Sequence, residues 1–300
     1  MTFDILVMQL FSGFSLFSVL VLMAIGLTIA FGLMGVINMA HGELMAMGSY
    51  MTYVTSLVFQ HYFPGSMGWY FVIGIGVAFT VTFVFGLLLE RSFIRFMYNR
   101  PLDTLLATWG LSLVLQQLFR QVFGPKEVSV PTVEWLQGAW TVSEGLELPL
   151  NRIFIIGLTL VIAAAVFVFL YRSRWGLRIR AVTQNRAMAG AAGVNTARVD
   201  AVTFALSCGL AGIAGSSFTM LASTGPVSGQ QYLVDTFIVV VFGGVESLLG
   251  TFLSAFAIGQ TQISLEYFTT GSMAKAITLL VVIVLLYFRP NGLFAAKVRR

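Results

Sequence analysis

Between Ile5 and Leu89 the chain carries a single formally charged side chain, Glu43. A helix needs roughly 20 apolar residues to cross about 30 Å of hydrocarbon, so this stretch alone holds material for several crossings. Composition extends the argument along the whole chain, because 58% of the 300 residues are hydrophobic and only 10% are charged, against about 25% charged in soluble domains. The sequence therefore predicts an integral membrane protein. The formal charge of +5 raises nucleic acid as a partner, but the basic residues flank apolar runs, where they orient a membrane protein, so that reading is rejected. Cys208 is the one cysteine and excludes an intrachain disulfide. The first four residues hold no Lys or Arg and no small-residue cleavage site follows, so the first helix is expected to stay as an anchor.

Apolar runs at Ile5–Phe31, Gly42–Phe59, Trp69–Leu89, Thr104–Phe123, Ile153–Tyr171, Ala201–Leu221, Thr236–Ile263 and Ala274–Phe288 predict about eight membrane segments. The expected fold is all-α and polytopic, with residues 1–300 forming one transmembrane domain. Arg91, Arg95 and Arg100 form one basic cluster, Arg172, Arg174, Arg178, Arg180, Arg186 and Arg198 a second, and Arg289, Lys297, Arg299 and Arg300 a third. These regions are expected on the cytoplasmic side, the C-terminus included. Residues 124–150, with Lys126 against Glu127, Glu134, Glu144 and Glu147, then form an external loop. The alternation requires Thr236–Ile263 either to enter and return on one side or to cross twice.

Two segments combine glycine with ionisable groups at membrane depth. "GLMGVINMAHGELMAMG" (32–48) holds Gly32, Gly35 and Gly42 with Asn38, His41 and Glu43; "VVFGGVESLLG" (240–250) holds Gly243, Gly244 and Gly250 with Glu246. Intramembrane ionisable groups are costly and usually functional, and paired Gly-broken segments, one in each half of a chain, point to a translocation route. The plainer reading is that small residues let helices pack closely. ATP is not expected to bind here, because "GVESLLGT" lacks the lysine of a phosphate-binding loop, while Glu43 and Glu246, with Asp235 and Glu266 nearer the ends of their segments, leave ion coupling open. No metal-ligand cluster or nucleophile–base pair stands out, and His41 and His61 are the only histidines, so an enzyme is not expected.

On the basic side, "YRSRWGLRIRAVTQNRAMAGAAGVNTARVDA" (171–201) offers Thr183 or Asn185 as cap for a short helix over Arg186–Ala192, ended by Gly193. Two readings stand: a helix lying in a groove of a soluble partner, or a basic loop held at the lipid headgroups.

"FGLMGVINMAHGELMAMGSY", "DTLLATWGLSLVLQQL", "WGLRIRAVTQNRAMAGAAGVNT", "FALSCGLAGIAG", "VDTFIVVVFGGVESLLGT" and "RPNGLF" together resemble the permeases of the branched-chain amino acid family of bacterial ABC importers. Within that family "DTLLATWG" and "RAVTQNRAMA" are most similar to the urea-transporter permease, while Glu246 stands where glycine is usual. The resemblance implies a multi-pass permease of the bacterial inner membrane that binds no cofactor itself. Its expected partners, besides the lipid bilayer, are a second homologous permease, two cytoplasmic ATPases that hold the ATP, and a periplasmic binding protein. It implies that residues 172–200 form the coupling loop, with Gln184, Asn185, Arg186, Ala187, Ala189, Gly190 and Gly193 meeting an ATPase.

Urea is small, planar and neutral, so its route wants amide and carboxylate acceptors with a few donors. Asn38, His41, Glu43, Trp109, Gln116, Gln117, Gln230, Gln231 and Glu246 supply that kind of lining. Each also has a structural reading as a helix-break satisfier, an interface anchor or an interhelical hydrogen bonder. A branched-chain amino acid would want a fixed positive group or a helix N-terminus for its carboxylate; no Lys or Arg lies in the middle of a span, which leans towards a neutral substrate, although a partner permease would supply half the route. Branched-chain amino acids through the same machine, and an ion-coupled transporter or channel, stay as the alternatives.

Overall fold

The structure is a computed structural model that describes residues 3–98, 100–143, 146–289 and 292–294. Glu144, Lys297, Arg299 and Arg300, named above for orientation, lie outside the described residues. Eleven α-helices are described: α1 (Phe3–Thr28), α2 (His41–Tyr62), α3 (Tyr70–Ser92), α4 (Pro101–Phe123), α5 (Leu150–Arg172), α6 (Arg174–Gln184), α7 (Arg186–Ala191), α8 (Thr196–Phe218), α9 (Ser228–Gly243), α10 (Leu248–Glu266) and α11 (Gly271–Phe288). Six stretches among the described residues are long and apolar enough to cross a membrane: Ile5–Leu33, Pro64–Phe96, Leu150–Arg172, Thr196–Phe218, Leu248–Glu266 and Gly271–Phe288. The chain is a polytopic all-α membrane protein. Each of the eight expected segments holds a helix, but Thr236–Ile263 resolves into α9 and α10, which meet at a turn over Gly244–Ser247.

One end of the bundle carries the basic residues. There Thr183 of α6 donates to the Leu33 carbonyl, just beyond α1, and Arg186 meets Asp200 near the start of α8. The opposite end carries an antiparallel hairpin, β1 (Ala139–Ser143) with β2 (Leu146–Pro149), pairing Ala139 with Pro149 and Trp140 with Leu148. Trp135 donates to the Gly68 carbonyl, and Asn151 to the Met220 carbonyl at that end. These contacts fix directions: α1 runs from the hairpin end to the basic end, and α8 runs back. The external-loop expectation for 124–150 held no strand; the alternating pattern of "AWTVS" and "LELP" was the available signal.

The packing pairs repeat with opposite sense. α3 packs on α8 as α10 packs on α1; α2 meets α3 and α8 as α9 meets α10 and α1; α1 touches α8, and α2 touches α9. Helices α1–α4 and α8–α11 thus form two halves of inverted direction, with α5–α7 between them. This is the internal symmetry that many transporter folds use to build a central route.

The core is packed through small residues. A Cβ on Gly48 would overlap the Gly212 backbone, one on Gly215 would overlap the Met45 carbonyl, and one on Gly86 would overlap Cys208. Lipid tails are as apolar as most of the side chains that pack here, so backbone proximity and dispersion, rather than a hydrophobic gain, hold such helices together.

Candidate functional site

The opening segment breaks where the sequence predicts. After α1 the backbone passes through a π-helical turn, Ile29–Leu33, and Gly35 takes a left-handed φ of 68° that a side chain would strain. Residues 35–38 are then non-helical, and α2 starts at His41 inside the bundle. His41 Nε2 lies 3.2 Å from the Met23 carbonyl oxygen, about one and a half turns before α1 ends. The linker is satisfied locally and by α4: Asn38 Oδ1 accepts from Ala40 N–H at 3.0 Å, and Met39 N–H donates to Thr108 Oγ1 at 3.0 Å. These bonds answer the amides freed by the break, which would otherwise cost several kcal/mol each in a lipid-like interior.

Glu43 occupies the first turn of α2, where the helix dipole favours a carboxylate. It is 1% exposed. Its Oε1 accepts from Gln116 Nε2 at 2.7 Å and from Ser112 Oγ at 3.2 Å, both one helical turn apart on α4. Gln116 Nε2 also lies 3.4 Å from Gln230 Oε1 on α9. Three helices therefore bring Glu43, Ser112, Gln116 and Gln230 into one polar cluster. Ser112 is the member that sequence reasoning missed; its signal was the Ser112–Gln116 spacing, which puts both on one face of a helix.

The α2–α9 crossing that carries this cluster depends on two glycines. A Cβ on Gly42 would overlap the Gly229 carbonyl, and one on Gly229 would overlap the Gly42 carbonyl. Gly32 abuts the Val245 carbonyl, and Gly243 and Gly250 abut each other. Of the six glycines read as helix breaks, Gly35 and Gly244 thus turn the chain with positive φ, whereas Gly32, Gly42, Gly243 and Gly250 serve close packing. The first Gly-broken region touches the second through Gly32 and Val245.

The structure separates other residues from this cluster. His41 faces α1 rather than Glu43, and its Nδ1 has no partner; Asn38 Nδ2 and Glu43 Oε2 are likewise buried without one. Trp109, half exposed, sits on the same side of α4 as Ser112 and Gln116 but makes no described hydrogen bond to them. Gln117 is exposed on another face of α4. Glu246 is exposed in the α9–α10 turn beside Gly32, away from Glu43. Gln231 lines a cavity between α9, α10 and α11, in which Lys275 Nζ meets Asp235 Oδ2 at 2.6 Å. Lys275 lies in the first turns of α11 and not in the middle of a span, but its long stem carries the charge onto Asp235 of α9.

On the basic side, Asn185 caps α7, accepting from Met188 N–H at 3.0 Å, and Gly193 follows with φ 82°. Thr183 is not the cap; it lies in α6 and donates to the Leu33 and Ile179 carbonyls. The helix covers Arg186–Ala191, and Met188 projects from it, 67% exposed. Sequence reasoning missed α6, whose signals were the Ser173 cap onto Gly176 N–H and apolar Trp175, Ile179 and Val182 on one side.

Among the described residues no group of His, Cys, Asp and Glu could hold a metal. The comparisons with known proteins agree with a transport role. The high-affinity branched-chain amino acid transport system permease protein LivH of Escherichia coli K12 is 28% identical, over 95% of this chain and 94% of its own. BraD of Pseudomonas aeruginosa, with the same description, is 27% identical over 95% and 94%. A probable branched-chain amino acid transport permease protein LivH of Methanocaldococcus jannaschii is 24% identical over 92% and 88%. No solved structure matches the chain. The family described as branched-chain amino acid transport system / permease component matches residues 9–288, and the chain belongs to it.

Proposed function

We propose that this chain lines part of the route by which an ABC importer carries urea or a short neutral amide across the inner membrane, with the Glu43 cluster as its polar station. Membership of the family makes the chain a permease subunit rather than an enzyme, with the ATPase on a separate subunit and a binding protein among its partners. The single observation that carries the substrate reading is the make-up of the cluster: a carboxyl, two primary amides and a hydroxyl, with no cation bonded to them. Such a set offers acceptors to the N–H groups of urea and an amide donor to its carbonyl. The resemblance of "DTLLATWG" and "RAVTQNRAMA" to urea permeases supports the same reading.

A second reading, branched-chain amino acids, is favoured by the names of the relatives, all of which carry that description. The Asp235–Lys275 pair would suit a zwitterion. On likeness alone this reading stands ahead of urea; the cluster chemistry is what speaks for the amide.

The route is completed by a second, homologous permease, and two ATPases engage α7 and its counterpart on the cytoplasmic side, where the C-terminus also lies. The chain itself holds no cofactor, and ATP stays with the ATPases. Uptake of labelled urea and labelled leucine into vesicles containing the whole importer separates the readings. Urea uptake that stops when the ATPases are inactivated is the expected result. Leucine uptake without urea uptake overturns the amide reading, and uptake that survives inactive ATPases overturns the importer reading.

A further inference from the structure

Beneath α7 four side chains from four different elements meet. Arg186, the first residue of α7, places its Nη2 2.5 Å from Asp200 Oδ2 in the first turns of α8. Its guanidinium also lies over the Tyr98 ring, 5.3 Å from the centroid, on the segment joining α3 to α4. Tyr98 Oη donates to Glu90 Oε1 at 2.8 Å, in the last turn of α3. Glu90 is 2% exposed and the Asp200 side chain 7%, so both carboxyls are withdrawn from solvent. The cluster borders a cavity of about 190 Å³ that reaches Leu33, whose carbonyl accepts from Thr183 one turn before Arg186.

This arrangement ties the exposed helix to the start of α8, to the segment joining α3 to α4 and to the end of α3. Two buried carboxyls would be costly without their partners, so the cluster resists piecemeal breakage and moves as a unit. An open cavity beside it leaves room for that movement.

We infer that Arg186, Asp200, Tyr98 and Glu90 form the mechanical link through which displacement of α7 is passed to α3, α4 and α8. Asp200, Tyr98 and Glu90 are positioning residues that act through Arg186. The inference rests on the reading of α7 as the ATPase contact. Its prediction is specific to coupling, in that loosening the link should spare assembly and hydrolysis while transport is lost.

The test uses the whole importer in vesicles, with Asp200→Asn and Tyr98→Phe as variants. Three quantities are read: co-purification of the ATPases, ATP hydrolysis, and solute taken up per ATP. Assembly and hydrolysis are expected to stay near the parental level, while uptake per ATP falls about tenfold, within the range of free energies that couple distant sites. Uptake per ATP at the parental value in both variants overturns the inference, and so does loss of uptake and hydrolysis in equal proportion. If Asp200→Asn fails to assemble, Tyr98→Phe, which removes one hydroxyl from a partly exposed ring, decides alone. Failure of the underlying reading would look different, since Met188→Asp on the exposed face of α7 would then leave co-purification of the ATPases at the parental level.

Discussion

The Glu43 carboxyl spends one oxygen on Gln116 and Ser112 and leaves the other buried without a partner. Glu43→Gln keeps the shape and an oxygen for Gln116 and Ser112, but replaces the ionisable carboxyl with a neutral amide whose NH2 takes the place of the unpartnered oxygen. Hydrogen bonds to a carboxylate are worth about 1.5–3 kcal/mol, so solute uptake should fall about tenfold or more in Glu43→Gln, and also in Gln116→Ala, with assembly retained; transport assays on the whole importer check both. Neighbouring glycines give a second, sharper comparison. Gly35→Ala meets no atom within 4 Å but must hold a left-handed φ, at a cost of about 1 kcal/mol. Gly42→Ala strikes the Gly229 carbonyl, and forcing a helix crossing apart costs about 1–3 kcal/mol. Thermal unfolding in detergent should therefore rank Gly42→Ala below Gly35→Ala, and both below the parent.

At the level of elements, the apolar runs, the break before α2, the Asn185 cap and the Gly193 stop were legible from residue types alone, because each follows from a local rule. Glu43 and Gln116 were legible as candidates but not as partners, since nothing local says that α2 and α4 cross at those positions. Glu246 resembled Glu43 in sequence and yet lies exposed in a turn, because a lone carboxylate in a Gly-rich stretch does not reveal on which side of the break it emerges. Lys275 escaped for the same reason: its partner Asp235 is on another helix. The hairpin and α6 carried readable patterns that the strength of the membrane signal overshadowed. Asn185→Ala removes the α7 cap, a loss of about 1 kcal/mol in a helix of only six residues. Co-purification of the ATPases with the permease should drop in this variant, whereas Asn195→Ala, which uncaps the much longer α8, should leave it less affected.

For the whole molecule, the two inverted halves place the starts of α2 and α9 against each other at Gly42 and Gly229, with the polar cluster beside the contact. A helix start inside the bundle in each half is what lets one face of the cluster be approached from either side, provided the halves can rock about that crossing. In the proposed importer the drive enters at α7, and the Gly32–Val245 contact, where the two broken regions touch, is where a shift of one would reach the other. The central claim is thus that the Glu43 cluster borders a hydrated passage whose open side changes with ATP. Cysteine accessibility tests it most directly, because Cys208 is buried and gives little background. Gln230→Cys and Ser112→Cys importers in vesicles would be treated with a membrane-impermeant thiol reagent from each side, with and without ATP. The account predicts labelling from one side that is lost, and gained from the other, when ATP is added; labelling only by a lipid-soluble reagent, unchanged by ATP, would contradict it.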